Sequence, residues 1–253
     1  MLNQQTLDKM NAMKLSGMVD ALKLQLGSAE HARLSFDERL GLMIDAEWTG
    51  REQRKLTKRL RAAKLRYAAS LEDVDFKHPR ALDRQQVLSL GNCAFIEQRH
   101  NLLISGPTGI GKSYLACAFV ERACRRGFSA AYLRLPRLLQ QVAVARGDGS
   151  YTRILDRLAR FDLLAIDDWL IAPLRDSERR DLGEVVEDRS ERASTLIASQ
   201  LPVKDWHASI GDPNLADSIC DRLLHNAHRI ELKGPSMRRT KPETKAVAPR
   251  KKA

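Results

Sequence analysis

The fold is decided by residues 101–114, which read N-L-L-I-S-G-P-T-G-I-G-K-S-Y. Within them, an apolar run at 102–104 predicts a buried β-strand, residues 106–113 match G-x-x-x-x-G-K-[ST], and helical spacing continues from Tyr114. A strand, a glycine loop and a helix in this order form a cradle for an anion, because backbone N–H groups turn inward and the helix directs its positive end at the same point. A glycine turn before an ordinary helix is the alternative, but the complete pattern favours a nucleotide site.

The residue types of this loop predict how a nucleotide is held. Lys112 is expected to reach the β and γ phosphates, and the hydroxyl of Ser113 is expected to contact Mg²⁺. The glycines allow the backbone to close around the phosphates. The predicted nucleotide-binding residues are Gly106, Pro107, Thr108, Gly109, Ile110, Gly111, Lys112, Ser113 and Tyr114.

Length and cysteine content are typical of an α/β protein of a reducing compartment. At 253 residues the chain can bury one large core and a small appended domain without disulfide or metal support. The four cysteines form no C-x-x-C pair and have no histidine at metal-ligand spacing, which predicts reduced, buried thiols. No apolar run reaches the ~18 residues of a membrane span, and no signal peptide is recognisable, so we expect a cytoplasmic protein that does not enter a membrane.

The net charge of +11 is concentrated in two segments. Residues 51–66 carry eight basic side chains against Glu52, and residues 233–253 carry eight against Glu243. Localised positive charge is typical of segments that bind a polyanion, because each neutralised phosphate releases condensed counterions. A solvated helix face and a solubilising tail are the alternatives, but the two segments together favour nucleic acid. The predicted DNA contacts are Arg51, Arg54, Lys55, Lys58 and Arg59.

Residues 1–75 show helical periodicity throughout. Apolar residues recur at three- to five-residue intervals before residue 27, and Ser35 with Glu38 forms a capping box. The helix that starts there is expected to run past Leu65, with one apolar and one basic face. The apolar stripe is expected to be core or a self-association surface rather than a ligand site. We predict a helical N-terminal domain that serves oligomerisation and the binding of DNA or a partner.

Beyond residue 75, short apolar runs alternate with helical segments. The predicted strands after the phosphate loop are 130–135, 161–168, 194–200 and 228–232, and the predicted helices include 82–96 and 214–227. Gly127 is expected to end the helix that follows the loop. Alternating strands and helices predict a parallel sheet with its site along one edge. We therefore predict an α/β nucleotide-binding domain at 76–235, followed by a basic tail at 236–253 that is expected to be disordered.

Polar residues end two of the predicted strands. Asp167 and Asp168 close the apolar run at 161–168, where a parallel strand delivers them to its carboxyl edge. Asp167 is expected to hold Mg²⁺ and Asp168 to polarise the attacking water, although glutamate is commoner at the second position. Ser199 or Gln200, at the end of the next run, is expected to sense the γ-phosphate. A strand-ending turn is the alternative for each pair.

Several further motifs resemble the IstB family. Besides the phosphate loop and the strand that ends at Asp168, they are S-F-D-E-R-L-G-L-M from Ser35, S-T-L-I-A-S-Q-L-P from Ser194, Trp206-His207, I-G-D-P from Ile210, A-D-S-I-C-D-R-L-L-H-N-A-H-R-I-E-L from Ala216 and G-P-S-M-R-R from Gly234. This family comprises helper ATPases of insertion-sequence transposition, related within the AAA+ class to the helicase loader DnaC and the initiator DnaA. The likeness spans nearly the whole chain, and residues 206–239 are its most specific part.

The resemblance implies an AAA+ P-loop fold, a three-layer sandwich that binds ATP between the subunits of a homo-oligomer. The residues that it implicates in binding and hydrolysing Mg-ATP are Lys112, Ser113, Asp167 and Asp168. It makes Ser199 or Gln200 the first sensor. It also makes Arg222 an arginine finger that acts in trans, whereas position alone leaves a plain surface arginine as the alternative. ATP would control assembly around double-stranded DNA, and the DNA-bound assembly would recruit and stimulate a transposase.

Two features depart from the family pattern. Leu170 stands where the family usually has glycine, which would affect the loop after Asp168 and turnover rather than binding. Little chain follows Leu232, so no separate C-terminal lid domain is expected. Arg238 or Arg239 is the candidate for a second sensor.

The interpretation that these patterns favour is an ATP-dependent, DNA-binding AAA+ ATPase of transposition. Phosphate contacts without a recognisable reading helix predict little base specificity and steep salt dependence. The alternatives are a DnaC-like loader of a replicative helicase and a non-hydrolysing DNA-binding scaffold that ATP stiffens. A small-molecule kinase is disfavoured, because no substrate-binding insert or lid follows the phosphate loop.

Overall fold

The computed structural model describes residues 3–237, excluding the side chains of Asn3 and Ala32. By its contacts the chain divides into two compact units, residues 1–61 and the residues from 62 onward. Among the described residues, no helix is both long and apolar enough to cross a membrane. The assignment of functions to the predicted domains stays a prediction.

The N-terminal unit is built of helices. They are α1 (Asn3–Ala12), α2 (Ser16–Leu26), a 3₁₀ turn (His31–Arg33) and α3 (Phe36–Ala63), whose end lies just beyond this unit. The predicted capping box begins α3, because the Glu38 amide donates to Ser35 Oγ at 3.3 Å and the Ser35 amide donates to the Glu38 carboxylate at 2.8 Å. The prediction that this helix runs past Leu65 is wrong, because Lys64 adopts a left-handed φ of +51° and the helix ends at Ala63.

Glu47 fixes the packing of α2 against α3. Its carboxylate accepts hydrogen bonds from the amides of Gly17 at 2.7 Å and Met18 at 3.3 Å, which lie at the start of α2 where amides lack helical partners. The same carboxylate pairs with Arg51 at 2.6 Å and Arg54 at 3.3 Å. The hydrogen bond from Arg51 lowers the pKa of Glu47, so the carboxylate is ionised at neutral pH.

The second unit is an α/β fold around a five-stranded parallel sheet. The strands are β1 (Asn101–Ser105), β2 (Ala130–Arg134), β3 (Leu163–Trp169), β4 (Ser194–Ser199) and β5 (Ala227–Glu231), in the order β2-β3-β4-β1-β5. The helices are α4 (Arg84–Leu90), α5 (Ala94–Glu97), α6 (Lys112–Arg125), α7 (Leu135–Gly147), α8 (Tyr151–Ala159), α9 (Asp176–Arg189), α10 (Trp206–Ile210) and α11 (Pro213–Leu224), with a 3₁₀ turn at Val203–Asp205. The predicted α/β fold with a parallel sheet is confirmed.

Both faces of this sheet are buried. Leu103 and Ile197 join a core cluster with residues of α7, α9 and α11. Their neighbours Leu102 and Leu196 point to the opposite face, the side on which α6 packs. All four are at most 1% exposed. A strand covered on both sides is apolar at successive positions, which is why the middle of β1 (102–104) and of β4 (196–198) is a continuous apolar run in the sequence.

Some helix boundaries differ from the predicted ones. The helix predicted at 82–96 is two short helices, because Cys93 interrupts it with a left-handed φ of +68°. The helix predicted at 214–227 is α11, which begins after an N-cap at Asp212 and ends before β5. Gly127 does end α6 as predicted, with a φ of +101°.

Candidate nucleotide site

The phosphate loop joins the carboxyl end of β1 to the start of α6. Gly106, Gly109 and Gly111 all adopt positive φ values, +146°, +81° and +99°, which favour glycine. The space around two of these glycines is also too small for a side chain. A Cβ on Gly106 would lie 2.4 Å from the carbonyl oxygen of Leu232, and one on Gly111 would lie 2.4 Å from the guanidinium of Arg80. The glycines of the sequence pattern are therefore required by backbone conformation and by packing.

Lys112, the first residue of α6, folds back over this loop. Its ammonium donates to the carbonyl oxygens of Gly106 at 2.6 Å and Pro107 at 2.9 Å. The side chain is largely buried. An anion in the loop would therefore meet backbone N–H groups, the positive end of a helix and one ammonium group together.

A cavity of about 550 Å³ opens beside the loop. Its volume lies within the range of small-molecule and cofactor sites, ~300–1,000 Å³. The predicted site residues that line it are Thr108, Gly109, Gly111, Lys112, Ser113, Tyr114, Asp167, Asp168 and Gln200, whereas Gly106, Pro107, Ile110, Ser199 and Arg222 do not. The glycine cradle fits a chain of phosphates. The hydroxyl of Ser113 and the carboxylate of Asp167 fit Mg²⁺, which prefers oxygen ligands.

Asp167 and Asp168 reach this cavity through an irregularity at the carboxyl end of β3. The pairing of β3 with β4 shifts between Ile166 and Trp169, so one extra residue bulges from β3. Asp168 adopts a left-handed φ of +56° at this bulge. Successive side chains of a regular strand point to opposite faces, whereas here both carboxylates line one cavity.

Each of the two carboxylates has a partner on β2, the neighbouring parallel strand. The buried Tyr132 hydroxyl donates a hydrogen bond to Asp167, and Arg134 forms an ion pair with Asp168. Burial raises the pKa of Tyr132, and the hydrogen bond to Asp167 raises it further. The phenol therefore stays protonated and remains a donor to Asp167.

The two candidates for the first sensor have different surroundings. Gln200 lines the cavity, and its side-chain oxygen accepts a hydrogen bond from Thr108 Oγ1 at 2.6 Å. Ser199 is fully buried, donates to the Trp169 carbonyl at 3.3 Å and accepts from the Leu201 amide at 3.0 Å. Ser199 thus closes the turn after β4, and of the two residues Gln200 is the one available to a ligand in the cavity.

Arg222 lies at the end of the sheet where β1 begins, opposite the end that carries the phosphate loop. Its carbonyl accepts a hydrogen bond at 3.1 Å from Asn101, the first residue of β1, whereas the phosphate loop follows the last residue of that strand. The guanidinium pairs with Glu187 and donates to the Ser218 carbonyl at 3.0 Å. Arg222 therefore does not line the nucleotide cavity of its own chain.

Sequence patterns do not single out four residues that line or support the cavity: Arg66, Arg80, Tyr132 and Arg134. Tyr132 and Arg134 become neighbours of the carboxylates only through the position of β2 beside β3. Their spacing of two along a predicted strand is a signal that places them on one face. Arg66 stands in the basic run of residues 51–66, which as a whole favours nucleic-acid binding, although Arg66 is not among the predicted DNA contacts.

Arg80 ties the phosphate loop to the segment before it. Its guanidinium donates to the carbonyl oxygens of Ile110 at 3.0 Å and Asp75 at 2.8 Å, and the residue is only 3% exposed. Burial lowers the pKa of Arg80. An arginine remote in sequence from the loop thus stabilises the course of its backbone.

Leu170 adopts the backbone conformation that glycine prefers. Its φ is +51°, and its side chain is 4% exposed in the core cluster beside Trp169. A left-handed backbone at a non-glycine residue costs roughly 1 kcal/mol or more, which burial of the leucine side chain offsets. Leu170 therefore packs into the core and does not line the cavity.

The predicted DNA contacts lie on α3 in the N-terminal unit. Arg51 and Arg54 pair with Glu47, and Lys55 pairs with Glu52 at 2.8 Å. Their side chains nevertheless remain 49%, 53% and 61% exposed, respectively. Lys58 is exposed and Arg59 is partly buried. The basic face of α3 is thus open to solvent along these residues.

The candidates for a second sensor, Arg238 and Arg239, lie outside the described residues. The segment that leads to them touches the phosphate loop, because the amide of Met237 donates to the Gly109 carbonyl at 3.0 Å. Met237 also lines the nucleotide cavity. The role of the two arginines stays a prediction.

Comparison with known families agrees with the resemblance in the sequence. The chain matches the family described as IstB-like ATP binding protein over residues 8–246. It is 50% identical over 239 residues to an insertion sequence ATP-binding protein of Sinorhizobium fredii, covering 94% of this chain and 98% of the relative. It is 47% identical over 203 residues to the ATP-binding protein of insertion sequence IS1162 of Pseudomonas fluorescens, covering 80% and 88% of the two chains.

Solved structures resemble about two thirds of this chain in fold. The crystal structure of DnaI superposes with a TM-score of 0.55 at 22% identity, covering 67% of this chain and 90% of that one. The DnaC helicase loader superposes with a TM-score of 0.54 at 18% identity, covering 68% and 100%. At these identities the likeness extends to the P-loop AAA+ fold alone.

Proposed function

This chain belongs to the family of IstB-like ATP-binding proteins, and we propose that it is an Mg²⁺-dependent ATPase of insertion-sequence transposition. In this proposal ATP-bound copies assemble on duplex DNA with little sequence preference, and the assembly recruits and stimulates a transposase. One observation carries the enzymatic part. The phosphate loop, two adjacent carboxylates and Gln200 line a single cavity.

The proposed roles follow from where each side chain lies. Lys112 and the loop amides bind the phosphates, while Ser113 and Asp167 would hold Mg²⁺, which supplies positive charge at the phosphate oxygens. Asp168 orients and polarises the attacking water. Gln200, held by its hydrogen bond from Thr108, senses the γ-phosphate from the next strand.

Arg222 is proposed to complete the site of a neighbouring copy. Its distance from its own cavity along β1 supports action in trans, because a finger in cis would have to lie at the carboxyl edge of the sheet. An arginine that meets the transferring phosphate stabilises the charge of the transition state. Assembly of copies is then a condition of hydrolysis, which links ATP turnover to the oligomer.

DNA binding is proposed to use the exposed cations of α3. The names of the relatives place them in insertion sequences, which favours a transposase as the protein partner. Loading of a replicative helicase remains the alternative, and the fold likeness to DnaC does not decide between them. Co-purification with a transposase is expected, and co-purification with a replicative helicase instead would support loading.

The ion pair of Asp168 with Arg134 favours a second candidate function, a DNA-binding scaffold that binds ATP without hydrolysing it. A carboxylate occupied by a cation has to be released before it can act on water. Phosphate release measured with and without duplex DNA separates the two functions. The ATPase proposal expects release that DNA stimulates and that Asp167→Asn abolishes, whereas the scaffold expects neither.

A further inference from the structure

In the sequence, Arg66 is the last basic residue of the run at 51–66. In the structure, it lies beyond the end of α3 and lines the nucleotide cavity. The helix ends at Ala63, and Lys64 turns the chain with its left-handed φ of +51°. Arg66 lies in the second unit and lines the same cavity as Lys112 and Ser113. Its position therefore separates it from the cations that the sequence assigns to DNA.

The backbone at Arg66 is anchored to the helix that follows the phosphate loop. Burial raises the pKa of the Cys117 thiol, and the nearby backbone of Tyr67 and of Arg66 acts against this by stabilising the ionised form. Cys117 is completely buried within α6. Because α6 begins at Lys112, this anchor fixes Arg66 relative to the phosphate loop rather than leaving it on a free linker.

The side chain of Arg66 points into the group of residues around the predicted metal ligand. The phenolic oxygen of Tyr132 accepts a hydrogen bond from Arg66. The hydroxyl group of the same tyrosine donates a hydrogen bond to the Asp167 carboxylate. A guanidinium has five N–H donors, and one phenolic oxygen takes up only part of them. Arg66 remains exposed at the cavity wall, where further donors can meet a ligand.

We propose that Arg66 contacts the terminal phosphate of bound ATP and makes the site distinguish ATP from ADP. This inference rests on the proposed binding of ATP at Lys112. Arg66 shares Tyr132 with Asp167 and lines the same cavity as the phosphate loop, so it lies at the phosphate end of the cavity. A planar guanidinium can bind two oxygens of one phosphate at once.

A contact between Arg66 and the terminal phosphate would also affect the backbone on either side of Arg66. Arg66 follows Ala63, the last residue of α3, by three positions. A γ-phosphate held by Arg66 therefore also holds the segment 64–68, which continues from the basic helix. Loss of that phosphate removes one of the contacts that hold the segment and leaves the one with Cys117.

The test is a calorimetric titration of the full chain with Mg²⁺ and either ADP or a nonhydrolysable ATP analogue. Arg66→Gln is expected to weaken binding of the ATP analogue by about tenfold or more, as for the loss of a charged hydrogen bond, and to leave ADP binding close to that of the parent. Arg66→Lys, which keeps the charge, is expected to retain part of the preference. Arg126→Gln, at an exposed arginine beyond the other end of α6, is the matched control and changes neither affinity.

Tyr132→Phe shows whether Arg66 acts only through Tyr132. It is expected to weaken both nucleotides together, because Tyr132 orients the residue that would hold the metal. Equal losses for ADP and the ATP analogue in Arg66→Gln, or no loss, would overturn the inference while leaving ATP binding by the parent intact. Failure of the parent itself to bind the analogue would remove the proposed function as well.

Hydrogen exchange on the parent tests the same inference without a substitution. The amides of residues 64–68 are expected to exchange more slowly with the ATP analogue than with ADP. Equal protection by the two nucleotides would contradict a contact between Arg66 and the terminal phosphate.

Discussion

Arg134, the last residue of β2, forms an ion pair with Asp168, the carboxylate that follows the predicted metal ligand at the end of β3. The two side chains meet because parallel strands end at the same edge of the sheet. In the proposed reaction the Asp168 carboxylate orients and polarises the attacking water, but in this structure it is paired with Arg134. The rate of hydrolysis in this proposed reaction would depend on how easily this pair opens.

Arg134→Gln is expected to raise the rate of phosphate release in the absence of DNA, because Asp168 is then free to accept a hydrogen bond from water. The measurement is steady-state phosphate release by the full chain. Asp168→Asn is the control and is expected to lower the rate by about 100-fold or more, the usual contribution of a general base. If Arg134→Gln falls to the level of Asp168→Asn, the ion pair is part of the active arrangement and does not restrain it.

Arg222→Ala and Lys112→Ala are each expected to abolish hydrolysis, the first by removing the finger and the second by removing phosphate binding. A mixture of the two variants is expected to regain part of the activity, because a Lys112→Ala copy can supply Arg222 to an intact nucleotide site on its neighbour. Phosphate release at several mixing ratios measures this recovery. A mixture as inactive as its components, although it assembles, would count against action in trans.

Leu170→Gly is expected to be more stable than Leu170→Ala, the reverse of the usual order. Both lose a buried side chain at a cost of about 2–4 kcal/mol. Only glycine relieves the left-handed backbone at φ +51°, which contributes roughly 1 kcal/mol in its favour. Urea unfolding of the three proteins gives the comparison. An alanine variant at least as stable as the glycine variant would show that the backbone at this position is unstrained.

Glu47 is expected to make the N-terminal unit sensitive to acid. Its pKa in the folded chain lies below the ordinary value of 4.5, chiefly through the hydrogen bond from Arg51, so its stabilisation is present above 4.5 and is lost as the pH falls through the lowered value. The stability difference between the parent and Glu47→Gln should therefore be constant near neutral pH and shrink in acid. A difference that does not change with pH would mean that Glu47 acts through packing alone.

The parts of the site that are contiguous in sequence could be predicted from it. The phosphate loop is one uninterrupted pattern, and the carboxylates of Asp167 and Asp168 directly follow an apolar run, so a local rule finds both. The capping box at Ser35 is equally local and begins α3 as expected.

The parts that depend on tertiary structure could not be predicted in this way. Arg134 reaches Asp168 only because β2 lies beside β3, an arrangement that no short pattern encodes. Arg66 looks like one more cation of a helix, because helical periodicity does not reveal the left-handed Lys64 or the anchor on Cys117. The choice between Ser199 and Gln200 likewise depends on which side chain the turn buries.

The central claim is that ATP bound at Lys112 drives assembly of this chain on DNA, and sedimentation of the protein with a labelled duplex at low salt tests it most directly. With a nonhydrolysable ATP analogue and Mg²⁺, the parent is expected to form a large, fast-sedimenting complex on the duplex, while Lys112→Ala stays small. Assembly of the same complex without nucleotide, or by Lys112→Ala, would contradict the account.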